Sequence, residues 1–382
     1  MKRSTERILT THVGSIPRPP EVLELMRLKE SGQPYDQKEL DVRVRAAVAT
    51  VVRRQAEVGI DVPSDGEFSK SSFSAYANER LSGFQLKEGV PSVTGRGRDR
   101  TAFADFYLEY EGPAATSSVV CTAPVRYIGQ ALVQRDIENF TAALQGLPLE
   151  EAFIPAVAPG TMALQRRNQY YRTDEEYIFA VADALKEEYR AIVDAGFILQ
   201  IDDPRLVTQY DTMDPEPSIE EYRKFAALRI EALNGALAGL PEDRVRYHVC
   251  WGSWHGPHTT DIPFEHLIDL VLGIRAGAWS FEAANPRHEH EWTLWETVKL
   301  PEGKSIIPGV IAHTTNHVEH PELVAQRLVN FARLVGRENI IAGVDCGFSQ
   351  SVFTQRAHPS VMWAKFRALA DGARIASQQL WQ

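Results

Sequence analysis

Cysteine is scarce in this chain of 382 residues: Cys121, Cys250 and Cys346 are too few for a disulfide framework. Long apolar runs are missing as well, and no stretch approaches the roughly 20 residues that a membrane-spanning helix needs. Met1 to Arg7 lead directly into a short strand-like run, with neither an apolar signal core nor a cleavage pattern. These absences argue against the disulfide-stapled and membrane-embedded classes and point to the reducing cytoplasm. Positive charge is in deficit too, with 41 Lys and Arg against 51 Asp and Glu and a formal net charge of −10. Such a surface is unsuited to nucleic acid or to an anionic membrane, although it leaves room for a local basic pocket.

What is present is the balance of an ordinary globular protein, 44% apolar and 24% charged, able to bury a large core. Eight short β-rich runs alternate with longer helical patterns, at 8–15, 59–67, 152–160, 196–204, 244–252, 277–285, 305–313 and 339–348. Each ends in small or polar residues. Between them, Thr173 with Glu176 forms a capping box ahead of Ile178, Val181, Leu185, Tyr189 and Ile192 at helical spacing. Pro321 opens another helix that Gly336 closes, and a weaker pattern covers 289–298. The expectation is an α/β chain folded as one (β/α)8 TIM barrel domain over residues 1–382. About 85 residues separate the second and third runs, so an insertion is expected there, over about 85–150. Within it, 102–111 and 117–128 flank Gly112-Pro113 and read as a β-hairpin, preceded by a loop holding Gly95 and Gly97. A helix near 137–144, ended by Gly146, follows.

In a β/α barrel the chemistry sits at the carboxyl ends of the strands. The fifth run ends Tyr247-His248-Val249-Cys250, and the period of two in a strand points His248 and Cys250 the same way. The sixth run supplies Glu282 and the eighth Cys346. Imidazole, carboxylate and two thiolates suit zinc, whose catalytic sites exchange one position for substrate. Alone, a His-x-Cys pair is as easily a hydrogen-bonded core histidine beside a buried free cysteine. It is the convergence of four donors at three strand ends that points to a Zn2+ site. Cys121, within the insertion, reads as a small apolar residue.

These residues, together with Thr10-Thr11-His12-Val13-Gly14-Ser15-Ile16-Pro17, Asp65-Gly66-Glu67 and Ile201-Asp202-Asp203-Pro204, resemble the catalytic barrel of the cobalamin-independent methionine synthase family, from Ile8 to beyond Cys346. The resemblance implies that His248, Cys250, Glu282 and Cys346 bind zinc and that zinc binds the acceptor thiol. It also implies that Ser15, Glu67 and Asp202 hold the amino acid part of that thiol. The chain departs from the family pattern at Ala158-Pro159-Gly160-Thr161-Met162, where the family has Thr-Gly-Pro followed by a tryptophan for the folate donor, and at Phe68-Ser69-Lys70-Ser71-Ser72-Phe73.

The expected activity is therefore a zinc-dependent transferase that alkylates a small-molecule thiol, with methyl transfer first and the opening of an epoxide, as in epoxyalkane:coenzyme M transferases, second. The partners are the thiol and a methyl or alkyl donor, a corrinoid protein being one candidate donor. His313, at the end of the seventh run, is the candidate proton donor. His12 and His255 rank behind it. Arg287-His288-Glu289-His290 reads as a solvated helix start, and Trp251 and Trp254 as pocket walls or packing. Two other classes compete: a metal-free uroporphyrinogen-decarboxylase-like enzyme, and a non-catalytic thiol or metal binder.

Overall fold

The computed structural model describes residues 1–90, 96–111 and 117–382. Its strands are β1 (Leu9–Thr10), β2 (Phe84–Glu88), β3 (Ser117–Cys121), β4 (Phe153–Val157), β5 (Arg167–Asn168), β6 (Ile198–Asp202), β7 (Val245–Val249), β8 (Ala278–Glu282), β9 (Ser305–Gly309) and β10 (Ile341–Ala342). The architecture is mixed α/β with parallel sheets. Strands β4, β6, β7, β8 and β9 form one parallel sheet in that order, and β1 pairs in parallel with β10. Isolated parallel bridges join Ile306 to Ile340, Gly309 to Gly343 and Thr11 to Val62. The Phe153 amide donates to Pro63 O at 3.0 Å. Each of the eight runs is thus joined to the next in sequence order, and the last to the first.

Strands β4, β6, β7, β8 and β9 are buried at every position, which is why they read as short, nearly continuous apolar runs rather than as alternating ones. The helices cover them with the caps their sequences announce. Thr173 Oγ1 accepts the Glu176 amide at 3.0 Å ahead of the helix Asp174–Asp194. A complete capping box between Ser218 and Glu221 starts Ile219–Ala236. Pro321 opens Pro321–Val335, and Gly336 follows it at φ 91°. The weak pattern at 289–298 is a 3-10 helix, Glu289–Glu296. Among the described residues no helix is long and apolar enough to cross a membrane.

The insertion differs from its expected form. Residues Ala104–Glu111 are helical, and β3 pairs antiparallel with β2, from Phe84 opposite Cys121 to Glu88 opposite Ser117. Gly112-Pro113 and Gly95 lie outside the described residues. Aromatic content favours a strand in isolation, but here spacing overrides it. Phe103 and Tyr107, and Phe106 and Tyr110, fall four apart, so one helical turn stacks Phe106 on Tyr110 and sends the Tyr107 hydroxyl to Asp99 at 2.7 Å. The later helix is longer than expected, Gln130–Leu144.

A buried polar network ties this insertion to the rest. Arg80 donates to Glu188 Oε1 at 3.1 Å and to Asp136, while the Tyr76 and Tyr127 hydroxyls donate to Glu188 at 2.9 and 3.0 Å. Arg80, Asp136 and Glu188 are all at most 3% exposed. Removing Arg80 would strand Glu188 in a low dielectric and leave Asp136 only the more distant Arg135, at 3.5 Å. We expect Arg80→Ala to lower the unfolding free energy by about 3–5 kcal/mol in urea titrations. A loss within the roughly 0.5 kcal/mol of an ordinary surface substitution would show that the network does not hold the insertion.

Candidate metal centre and substrate cavity

The ladder register builds the site row by row. Asp202 on β6 is opposite His248 on β7, which is opposite Ser280 on β8, so the three side chains stand side by side. His248 Nδ1 lies 3.1 Å from Ser280 Oγ, and its Nε2 is buried without a hydrogen-bond partner. Two residues on, past the end of β7, Cys250 faces the same way, with its Sγ 3.5 Å from Cys346 Sγ. One donor atom from each of His248, Cys250 and Cys346 lies within 4.8 Å of the others, and all three residues are buried. Two sulfurs this close share a proton unevenly. The hydrogen bond from Cys250 holds Cys346 well below the usual thiol range, while the same contact and burial push Cys250 well above it.

Glu282 sits beside this trio rather than within it. Its Oε1 accepts the Trp251 amide at 2.9 Å and its Oε2 accepts from the Asn285 side chain. Burial, with Asp345 and Cys346 nearby, raises it well above the carboxylate range. Asp345 accepts the Ala283 and Ala284 amides at 2.8 and 2.9 Å, and burial raises it to about 8. His313 is fully buried, both ring nitrogens lack a hydrogen-bond partner, and burial lowers it to about 4.

Ser15, Glu67, Asp202, His248, Cys250 and Cys346 line one cavity of about 350 Å³. Glu282 and His313 do not line it. Glycines make room for the acids and the hydroxyl: a Cβ on Gly14 would lie 2.6 Å from Glu67 Oε1, and one on Gly347 would lie 2.0 Å from Ser15 Oγ. Glu67 itself holds φ 59°, an uncommon conformation for a non-glycine residue, and its Oε2 is buried without a partner. Burial raises Glu67 to about 7 and Asp202 to about 7. Lys70 and Arg18 act on Glu67, and His248 on Asp202, through space, but among the described residues neither acid makes an ion pair.

Several neighbours differ from the sequence reading or escaped it. His288 is buried rather than solvated. Its ring stacks on Trp251 with centroids 3.7 Å apart and bonds to Glu291 and Asp261 at 2.9 and 3.1 Å. His12 is structural, bonded to Gln55 at 2.7 Å, and Trp254 walls the cavity. Arg18 escaped notice; it is buried and donates to the Glu67 carbonyl at 2.9 Å, fixing that turn. Arg96, Arg100, Arg205 and Arg356 at the cavity also escaped. Only the position of Arg205, directly after the acids that end β6, could have marked it.

Parallel strands that deliver an imidazole and two sulfurs to one point, beside a cavity lined by buried acids, define an α/β protein with a candidate transition-metal centre and a small-molecule site. Residues 8–103 and 117–364 match the family described as cobalamin-independent synthase, catalytic domain, and the chain belongs to that family. It is 27% identical over 351 residues to a methionine synthase of Sulfolobus acidocaldarius, covering 88% of this chain and 85% of that protein. It is 28% identical over 374 residues to one of Sulfurisphaera tokodaii, covering 97% and 93%. The structure of a B12-independent methionine synthase from Shewanella sp. W3-18-1 in complex with selenomethionine superposes with a TM-score of 0.75 at 21% identity, over 98% of this chain and 99% of that one, a likeness of fold. A corrinoid donor finds no support in relatives described as cobalamin-independent.

The raised acids have a consequence for stability in the metal-free protein. The folded chain holds the Glu67 and Asp202 protons up to about pH 7, whereas the unfolded chain releases them in the ordinary carboxylate range. Their contribution is therefore full below that range and is lost as pH rises through about 7. We expect Glu67→Gln to be more stable than the parent by about 3 kcal/mol at pH 8, and the gap to shrink toward zero by pH 5. Urea unfolding of chelator-treated protein at both pH values is the check; a gap independent of pH would contradict it.

Proposed function

We propose that the chain is a zinc-dependent transferase that activates a thiol for S-alkylation, with methyl transfer to homocysteine as the reaction. We further propose that the eight parallel runs close into a (β/α)8 barrel and that residues 1–382 form one domain, the insertion being packed on it through Arg80, Asp136 and Glu188. The names of the relatives support the activity, and the sequence-order joining of the runs supports the barrel. The observation that carries the proposal is the meeting of His248, Cys250 and Cys346 within 4.8 Å at the wall of the cavity that also holds Glu67 and Asp202.

The donor set fits zinc on its own chemistry. An unpartnered, buried imidazole nitrogen faces two sulfurs, one already inclined to be a thiolate, and tetrahedral N/S sites are zinc's preference. His248, Cys250 and Cys346 would hold the ion, with Glu282 as the fourth ligand once it turns from Trp251 and Asn285. When bound, zinc lowers the pKa of the substrate thiol so that a thiolate is available at neutral pH.

The chain's own residues do the rest. Glu67 and Asp202 ionise against the substrate ammonium group, which supplies the charge that burial otherwise denies them. Ser15 Oγ, fixed by accepting the Ser349 amide at 3.3 Å, is placed to bond the substrate carboxylate. Held neutral by burial, His313 lies within electrostatic reach of Cys346 but outside the cavity, so in this reading it acts on the charge balance of the sulfurs rather than on the substrate directly. Walls formed by Val13, Phe73 and Trp254 keep water from the sulfur. Three buried free cysteines, two of them in contact, suit a reducing compartment, and we place the protein in the cytoplasm.

We expect the purified protein to carry about one zinc and Cys346→Ser to lose both the metal and at least about 100-fold in turnover. Adding homocysteine should shift the zinc X-ray absorption edge toward more sulfur neighbours. A Cys346→Ser enzyme with full metal and full turnover, or an edge unmoved by the thiol, would overturn the assignment. Asp202→Asn should raise KM for homocysteine by roughly 10- to 100-fold, as expected for the loss of a charged hydrogen bond, while zinc content stays unchanged.

A further inference from the structure

A second cavity, of about 440 Å³, lies behind the thiol site, and Arg96, Arg205 and Thr212 line both. Five arginines face it, Arg96, Arg166, Arg167, Arg205 and Arg229, against one carboxylate, Asp174. In a chain of formal charge −10 this is a local reversal of sign, not a sample of the surface. Separate elements bring the cations together. Arg205 opens the helix Arg205–Thr212, Arg229 projects from Ile219–Ala236, and Arg166 and Arg167 lie at the short strand β5.

Three of these guanidinium groups are buried or half-buried, and among the described residues none of the three makes an ion pair. Arg166 donates to Asn78 Oδ1 at 2.7 Å, to Ser74 O at 2.9 Å and weakly to Met162 O. Arg229 donates to Phe225 O at 2.8 Å and lies over the Phe225 ring. Arg205, nine-tenths buried, donates to Gln209 Oε1 at 2.6 Å. The Nε groups of Arg205 and Arg229 are buried with no acceptor. Burial lowers Arg166 and Arg229 to about 10, which still leaves both charged at neutral pH. Asp203 and Asp174 act on Arg229, and Asp211 on Arg205, only through space and not as ion pairs, so the buried cations are incompletely compensated, and planar guanidinium groups with idle N–H donors are shaped for phosphate or carboxylate oxygens.

We propose that this cavity binds an anionic group, phosphate or clustered carboxylates, carried by the alkyl donor. The anion sits between Arg205 and Arg229, and the reactive end of the donor passes Arg96 and Thr212 into the thiol cavity. Assigning the anion to the donor rests on the alkyl-transfer reading; the anion site itself does not. Arg205, lining both cavities, is the residue that links the two.

The test is calorimetric titration of the zinc-loaded protein with inorganic pyrophosphate and, separately, with citrate, at fixed ionic strength in chloride. We expect saturable binding of at least one, and the tighter of the two identifies the anion as phosphate or carboxylate. Arg205→Gln and Arg229→Gln should each weaken it about 10-fold, the worth of one charged hydrogen bond, with zinc content unchanged and Arg229→Lys keeping most of the affinity. Absence of saturable binding of both anions by the parent protein overturns the site, whatever the variants do. So does unaltered affinity in a folded Arg229→Gln. If the anions bind but homocysteine leaves the zinc edge unmoved, the anion site stands and the alkyl-transfer reading falls.

Discussion

The structure is organised around a concentration of acidic and soft donor atoms sealed from water at the ends of parallel strands. Cys250, Cys346, Glu282, Asp345, Glu67 and Asp202 are all buried at this rim; burial raises the four carboxyl groups above their ordinary range, and the contact with Cys346 followed by burial raises Cys250. In a low dielectric such a cluster stays neutral by holding protons or is charged against cations. On the function proposed above, two cations would satisfy it: a metal ion at the sulfurs and His248, and an ammonium group at Glu67 and Asp202. Both proposals rest on one physical fact, the cost of an unpaired buried anion.

The scaffold meets that cost with rigidity. A ladder row fixes Asp202, His248 and Ser280 relative to one another, and the tautomer in which His248 Nδ1–H donates to Ser280 Oγ leaves the Nε2 lone pair free. Second-sphere contacts of this kind set which nitrogen a histidine offers a metal. Around the acids, Gly14 and Gly347 give up side chains so that Glu67 and Ser15 occupy the space, and Arg18 pins the turn on which Glu67 holds its strained φ. The guanidinium groups on the far side of Arg205 invert the pattern, a pool of buried positive charge next to a pool of buried acids. A bifunctional pair of substrates, one with a cationic end and one with an anionic end, would use both.

Much of this was legible in the residue order. The eight runs stood out because strands buried on both faces are short and apolar, and helix signals such as Thr173, Pro321 and Gly336 are local chemistry that needs no distant partner. The insertion was legible only as an insertion. Residues 104–111 carry both strand composition and helical spacing, and the choice fell to packing against Asp99 and the Trp254 loop. His288 was misjudged for a related reason: its polar neighbours are its buried partners, Asp261 and Glu291, rather than a sign of solvent.

His248, Cys250, Glu282 and Cys346 as candidate ligands were legible in the sequence alone, because strand periodicity and strand-end position are properties of a chain read one residue at a time; Ser15, Glu67 and Asp202 came only from the likeness of their motifs to the family's. Tertiary structure decided that Glu282 stands aside on Trp251 and Asn285, that His313 is neutral and outside the cavity, and that arginines from three separate elements converge behind Arg205. Those outcomes depend on burial and on distances between remote segments. Both are set by how the helices and loops close over the strand ends, and no local pattern encodes either.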